Sequence, residues 1–259
     1  MLKMSQGEQR EKIEKLTSMD TVLTQISEYA SFLEKYMEET SIYINEQLDA
    51  NKKVLFEGAQ GAMLDIDFGT YPYCTSSSPT AGSVCTGAGV PPSKISRIIG
   101  IFKAYTTRVG TGPFPTELLN DEAELGEQIA QVGKEFGTVT GRKRRVGWLD
   151  IPALRHAIRI NGCTELTMMK IDVLSGIPTI KVCTEFEFEN KNYDSFPADL
   201  RVLNNVKPIY CTFEGWSEIL GNELPSEAEK YIQFVENELQ VPIKTVSVGP
   251  ERTQTIHRM

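Results

Sequence analysis

Long apolar runs are missing from this 259-residue chain. No stretch approaches the ~20 consecutive apolar residues that span a bilayer. The opening MLKMSQGEQREK is too polar for a secretory signal. Neither membrane insertion nor export is expected, and the cytoplasm is the expected compartment. Histidine is scarce as well. His156 and His257 are the only two, and neither has a second ligand at helical spacing, so core or surface roles fit them better than metal binding. The five cysteines are odd in number and form no Cys-x-x-Cys pair, which argues for reduced thiols and against a disulfide framework or a zinc site. A basic excess is lacking too. The net charge is −8, which argues against bulk attraction to nucleic acid or to an anionic membrane. The phosphate-loop pattern GxxxxGK[ST] occurs nowhere, and Ala88 stands where GSVCTGAGV would need its lysine. No repeat, low-complexity tract or clear linker divides the chain.

What is present suits a folded α/β protein. The chain is 40% hydrophobic, enough for one large domain or two small ones. Residues 5–50 read as helices. Val22, Ile26, Tyr29, Leu33 and Tyr36 recur at three or four residues and give one apolar face. A second helix carries Ile44 and Leu48 and stops near Asn51, a residue that tolerates a left-handed turn. A packing or partner-facing role fits this segment, which holds no evident chemistry. Residues 51–259 form the second part.

That part opens with Val54-Leu55-Phe56, an apolar run expected to be a buried strand, which breaks into Glu57-Gly58-Ala59-Gln60-Gly61. Two glycines flanking one amide let a ligand come close to backbone. Thr75 to Ser78 follow as four hydroxyls in a row, suited to a phosphate or sugar, although a capped Ser/Thr turn reads equally well. Asp65 and Asp67 fit a hairpin or turn better than a metal pair. GSVCTGAGV is expected to be a loop. Ser93 to Gly100 reads as a short helix and Ile101 to Val109 as a strand ending in Gly110-Thr111-Gly112-Pro113. A helix over 121–136, with Ile129, Val132 and Phe136 on one face, is closed by Gly137.

Next comes GTVTGRKRRVGW, with Arg142-Lys143-Arg144-Arg145 between two glycines. Such a run reads as a solvated face, as a localisation or RNA patch, or as a loop that closes on an anion. Its isolation in an acidic chain and its flanking glycines favour the last, since guanidiniums grip carboxylate or phosphate bidentately. Asp150 is an N-cap, Pro152 sits in the first turn of its helix, and Gly162 lies past the end. Leu166 to Met169 is a buried strand running into Lys170-Ile171-Asp172. A lysine stem there can lie on a purine, and the carboxylate can accept from guanine N1–H and its 2-amino group, donors that adenine lacks. A surface ion pair explains the tripeptide about as well. Strands are expected at 179–188 and 208–213, with a polar insertion from Glu189 to Leu203 between them. A helix follows with a capping box at Ser226 to Glu229 and an apolar face of Tyr231, Ile232, Val235 and Leu239. The last strand, Ile243 to Val246, ends in Ser247-Val248-Gly249-Pro250.

Several of these strings, in this order, resemble the adenylosuccinate synthetases, ligases that join aspartate to IMP using GTP: GAQG at 58–61, LDIDFGTYP at 64–72, TSS at 75–77, RVGTGPFPTEL at 108–118, GTVTGRKRRVGW at 137–148, KID at 170–172 and SVGPERTQT at 247–255. The resemblance runs from about Asp49 to Thr255. It implies a P-loop-NTPase-like three-layer α/β fold, with a mixed sheet between flanking helices. It implies that Gln60 and Thr75 bind IMP, with Gln60 near the purine 6-oxygen, and that Arg142 contacts nucleotide. It implies that Thr138, Val139, Thr140, Gly141, Arg142, Lys143 and Arg144 recognise L-aspartate, with Arg144 also reaching GTP. Lys170, Ile171, Asp172, Ser247, Val248 and Gly249 would take the guanine. Mg2+ and a homodimer are family expectations.

The family also opens with a glycine-rich phosphate loop carrying a catalytic aspartate, followed by a catalytic histidine, and neither matches any position here. The expectation is therefore a C-terminal portion truncated at its N-terminus, inactive alone, poorly soluble, and leaving a sheet edge and apolar faces uncovered. Two alternatives stand beside it. One is a non-catalytic nucleotide-binding or interaction module derived from the enzyme, and the other is a generic α/β domain.

Overall fold

The computed structural model describes residues 7–137, 141–219, 221 and 223–258. The chain divides into two units, one reaching to Val54 and including Ala88–Val90, the other holding Leu55–Gly87 and everything from Pro91 onward.

The first unit is helical. Helices α1 (Glu8–Leu16), α2 (Met19–Leu33) and α3 (Thr40–Asp49) occupy it; Val22 to Leu33 of the apolar stripe lie in α2, whereas Tyr36 falls in a 3-10 turn, Glu34–Tyr36. Ser18 caps α2 by accepting from Thr21 N–H, and Asn51 follows α3 with φ of 57°. The apolar face of α2 forms but stays uncovered. Ile26, Tyr29, Phe32 and Leu33 are all exposed, and no residue of α2 is buried.

The second unit is mixed α/β, as expected, with its strand pairing spread over three sheets. Strands β1 (Ile99–Lys103), β5 (Glu165–Met169) and β9 (Ile243–Ser247) lie parallel in the order β1-β5-β9, and β10 (Thr255–His257) closes the far side antiparallel to β9. Strands β2 (Thr106–Arg108) and β3 (Arg145–Gly147) form an antiparallel pair. The third sheet has β6 (Thr179–Phe188) at its centre, parallel to β4 (Leu149–Asp150) and antiparallel to β7 (Lys191–Tyr193) and β8 (Lys207–Glu214). Helices α4 (Ser83–Ala88), α5 (Ala123–Val132), α6 (Ile151–Asn161), α7 (Leu200–Leu203) and α8 (Ser226–Leu239) complete the elements.

The core is built from β5, β6 and β9 with α5, α6 and α8. Helix α8 shows why its pattern works. Ala228, Tyr231, Ile232, Val235 and Leu239 recur at helical spacing and are all buried. Each large side chain among them contributes about 1.5–3 kcal/mol relative to exposure. The Tyr231 hydroxyl donates to Ala104 O at 2.6 Å, fixing α8 to the end of β1. Helix α6 starts and ends as the sequence requires. Asp150 accepts from Ala153 N–H at 2.9 Å, and Gly162 takes the left-handed conformation.

Several expectations need correction. Val54 to Phe56 forms no strand and joins no sheet among the described residues, and Leu55 is 84% exposed. An apolar run becomes a strand only when another edge is available to satisfy its backbone. GSVCTGAGV is not all loop, because α4 occupies 83–88. The expected helix ending at Gly100 is only a 3-10 turn, Pro92–Lys94, and Gly100 lies inside β1. The strand expected over 101–109 splits into β1 and β2 at Ala104-Tyr105. The helix over 121–136 stops at Val132, which is exposed. The capping box at Ser226 is not made. Pro225 is the N-cap, and Glu229 pairs instead with Arg258 at 2.7 Å. The polar insertion carries β7 and α7, and its Phe196 and Leu203 belong to a second small core with Phe186. Asp65 is a turn residue, accepting from Asp67 and Phe68 N–H at 2.9 Å each, but the turn is not a hairpin of strands. β1 is an edge strand of its sheet among the described residues, with Ile101 72% exposed.

Candidate nucleotide-binding site

Parallel strands deliver residues to their carboxyl ends, and ligands of open α/β sheets sit there. Here β1, β5 and β9 end side by side in Lys103, Lys170 and Ser247. Ala104 N–H donates to Met169 O at 2.9 Å, tying the first two ends together. Lys170 has φ of 63°, the left-handed region, where a residue with a side chain is strained. That turn sends the backbone from β5 into the 3-10 helix Ile171–Leu174, which carries Asp172.

Asp172 is prepared as an acceptor. Its Oδ1 is buried and has no protein hydrogen-bond partner among the described residues. Burial pushes its carboxyl above the usual aspartate range, against the opposing charge of Lys170. Ser175 Oγ and Trp216 Nε1 are also buried without partners among the described residues, and Gly176 N–H donates to Trp216 O at 2.8 Å. A buried acceptor left unmade costs about 1–3 kcal/mol, which a ligand donor recovers. Beside it, Ser247 Oγ donates to Gly249 O at 2.9 Å and Val248 N–H to Gln254 O at 3.0 Å. A Cβ on Gly249 would run into the Gln254 side-chain amide, which would have to move to admit it.

The largest surprise is Glu135. Helix α5 is capped by Gly133, Lys134 turns left-handed at φ 50°, and Glu135 is fully buried. Its carboxylate accepts from Lys103 at 2.8 Å on both oxygens, Tyr105 Oη at 2.6 Å, Lys170 at 2.9 Å and Arg144 at 2.7 Å. Burial pushes this carboxyl up, but the four donors overcome that and hold it at about 2. Sequence reasoning placed Glu135 inside a helix and missed it. The available signal was Gly133, a helix stop four residues earlier than Gly137.

The basic run divides into different jobs. Arg145 is structural, pairing with Glu117, donating to Gly112 O at 2.9 Å and lying over the Phe114 ring. Lys143 pairs with Glu127, and Arg144 holds Glu135. Arg142 is exposed near Gly110. The backbone closes as a hairpin through a Phe136–Lys143 bridge, with Gly137 N–H donating to Arg142 O at 2.8 Å and Gly141 at φ 63°. Thr138, Val139 and Thr140 lie outside the described residues.

The opening glycine stretch is organised differently. Gln60 takes φ of 68°, its Nε2 donates to Thr75 Oγ1 at 3.2 Å, and Ser77 Oγ donates to its Oε1 at 3.3 Å. The two candidate IMP residues therefore meet, both at the surface of the second unit. A Cβ on Gly61 would meet nothing within 4 Å. Nearby, Arg108 anchors the Thr70–Tyr73 turn, donating to Thr70 Oγ1 at 2.9 Å and Tyr73 O at 3.2 Å. His156 meets Phe68 O at 2.8 Å. Among the described residues no group of three His, Cys, Asp or Glu side chains could hold a metal ion, and no helix is long and apolar enough to cross a membrane.

A mixed α/β fold with an unpartnered acceptor and clustered cations at parallel strand ends makes this the candidate ligand site. The particular family follows from relatives. The adenylosuccinate synthetase family model matches residues 2–256. The synthetase of Thermodesulfovibrio yellowstonii is 50% identical over 240 residues, covering 91% of this chain and 56% of that protein. That of Halothermothrix orenii is 46% identical over 255 residues, covering 96% and 59%. The solved structure of fully ligated adenylosuccinate synthetase from Plasmodium falciparum superposes with a TM-score of 0.87 at 39% identity, over 96% of this chain and 60% of that one. The chain belongs to the adenylosuccinate synthetase family, and it spans between half and three-fifths of the length of these relatives.

Proposed function

We propose that this chain carries the guanine, IMP-positioning and aspartate-recognising parts of a GTP-dependent ligase that forms adenylosuccinate from IMP and L-aspartate, releasing GDP and phosphate. The observation that carries this is the buried, unpartnered Asp172 Oδ1 beside Lys170 at the end of β5. Guanine N1–H and its 2-amino group supply the donors this oxygen lacks, and the Lys170 stem offers an apolar edge to the purine. Ser247 to Gly249 line the adjacent strand end. Gln60, held by Thr75 and Ser77, presents an amide to the purine 6-oxygen of IMP, where it stabilises charge as that oxygen accepts phosphate. The hairpin of Arg142 and Arg144, with residues 138–141, grips the aspartate carboxylates.

The acid and base that move protons, and the ligands for Mg2+, belong to the family's other portion. We place the complete enzyme in the cytoplasm as a homodimer.

The test is adenylosuccinate formation from IMP, GTP and aspartate, by the 259-residue chain alone and after coexpression with the unmatched portion of the Thermodesulfovibrio relative. No turnover alone and turnover after complementation are expected. Turnover by the chain alone sinks the division of labour. Binding of GDP with no turnover in either case favours a non-catalytic nucleotide-binding module.

A further inference from the structure

One carboxylate ties together side chains that the proposed function assigns to different ligands. Glu135 Oε1 takes Lys170, from the guanine side, and Oε2 takes Arg144, from the basic hairpin. The three cationic side chains are 24–33% exposed, whereas the Glu135 side chain is fully buried. Ligands can therefore reach the cations, while the carboxylate stays behind them. The cations also feel one another, since Lys170 and Arg144 both oppose protonation of Lys103, a group that burial already depresses. Arg144 is bound to Glu135 twice, through its guanidinium and through its backbone N–H to Glu135 O at 2.9 Å.

We propose that Glu135 is a positioning residue coupling the basic hairpin to the guanine-side lysine, so that a carboxylate ligand on Arg144 tightens guanine nucleotide binding at Lys170 and Asp172. The inference rests on the nucleotide reading above. Its physics is competition among donors. When a ligand carboxylate draws the Arg144 guanidinium away, Oε2 keeps only Lys103. The carboxylate charge is then shared among fewer donors, and Lys103 and Lys170 are held harder. A fixed Lys170 loses less side-chain entropy when a purine stacks on it. By linkage, nucleotide tightens the carboxylate ligand by the same factor.

Two readouts separate this proposal from the reading beneath it. The first needs no ligand and uses NMR of the 259-residue chain labelled at lysine, with the Lys170 signal assigned through Lys170→Arg. Arg144→Ala is expected to shift and narrow the distribution of the Lys170 ε-methylene signal, and Glu135→Gln is expected to abolish that response. If Glu135→Gln does not fold, Glu135→Asp, which keeps the charge but is too short to span both cations, is expected to do the same. A Lys170 signal indifferent to Arg144 overturns the coupling. The second readout is GDP affinity with and without saturating L-aspartate. Aspartate is expected to tighten GDP about fivefold or more in the wild type, within the usual range of allosteric coupling, and to have no effect in the Glu135 variants. An equal aspartate effect in both overturns the proposal. Absence of GDP binding, with Lys170 still following Arg144, defeats the nucleotide reading and leaves the positioning role standing.

Discussion

The guanine-side cluster and the Gln60 loop carry candidate residues of one site and are held by opposite means. At the strand ends, a buried carboxylate collects three cations and a tyrosine, and Asp172, two residues past Lys170, keeps an unused oxygen. In the loop, Gln60 is at the surface, kept by hydroxyls at 3.2 and 3.3 Å. Low dielectric strengthens the first set and water weakens the second. One cluster is therefore built into the core, while the other is a surface hydrogen-bond set. Preorganisation follows from where a backbone ends inside the core, and chemical type alone does not supply it.

Stability should break this comparison most visibly if it is wrong. Glu135→Ala leaves three cations around a buried hole and is expected to cost about 3–5 kcal/mol, the range for breaking a buried ion pair. Gln60→Ala is expected to stay within ~0.5 kcal/mol, as a surface change does. Urea midpoints of the two variants measure this, and similar midpoints would erase the distinction.

Acid should act on the same cluster. Glu135 lies at about 2 in the fold against an ordinary 4.5, so its contribution is fully present above 4.5 and is lost as pH falls from there toward 2. The loss is worth roughly 3 kcal/mol and should be missing from the denaturation profile of Glu135→Gln. Asp150 has the opposite sign. Burial raises it to about 7 from 3.8, so its effect favours the fold at low pH and is lost as pH rises through that window.

Asp172→Asn sharpens the difference between holding and waiting. It removes a buried charge with an unused oxygen, so stability is expected to stay level or rise by ~1 kcal/mol, while GDP binding falls about tenfold or more. Calorimetric titration beside thermal melting tests both halves at once. The smallest effect belongs to Gly61→Ala. Gly61 has φ of −126° and open space around it, so melting should move by the equivalent of ~0.5 kcal/mol at most. A large loss of stability would show that the loop is packed after all.

Much of this was legible in the sequence because local rules governed it. Asp150, Pro152 and Gly162 bracket α6 by capping chemistry. The period of Tyr231, Ile232, Val235 and Leu239 buries one face of α8, and Lys170 and Asp172 fall at a strand end where an apolar run stops. What escaped depended on partners distant in sequence. Val54 to Phe56 has the composition of a strand and no edge to pair with among the described residues. The α2 stripe has the same period as α8 and no cover, because periodicity says that a face wants burial without saying against what. Glu135 escaped because one left-handed residue, Lys134, turns an apparent helix continuation into the centre of the cluster.

Guanine selectivity set by Asp172 is the central claim, and a paired titration of the 259-residue chain with GDP and ADP tests it most directly. GDP should bind about a hundredfold tighter than ADP, as expected for a site whose buried acceptor the wrong base leaves unpaired, and Asp172→Asn should remove that preference. Equal affinity for the two nucleotides, or a preference that survives the substitution, would contradict it.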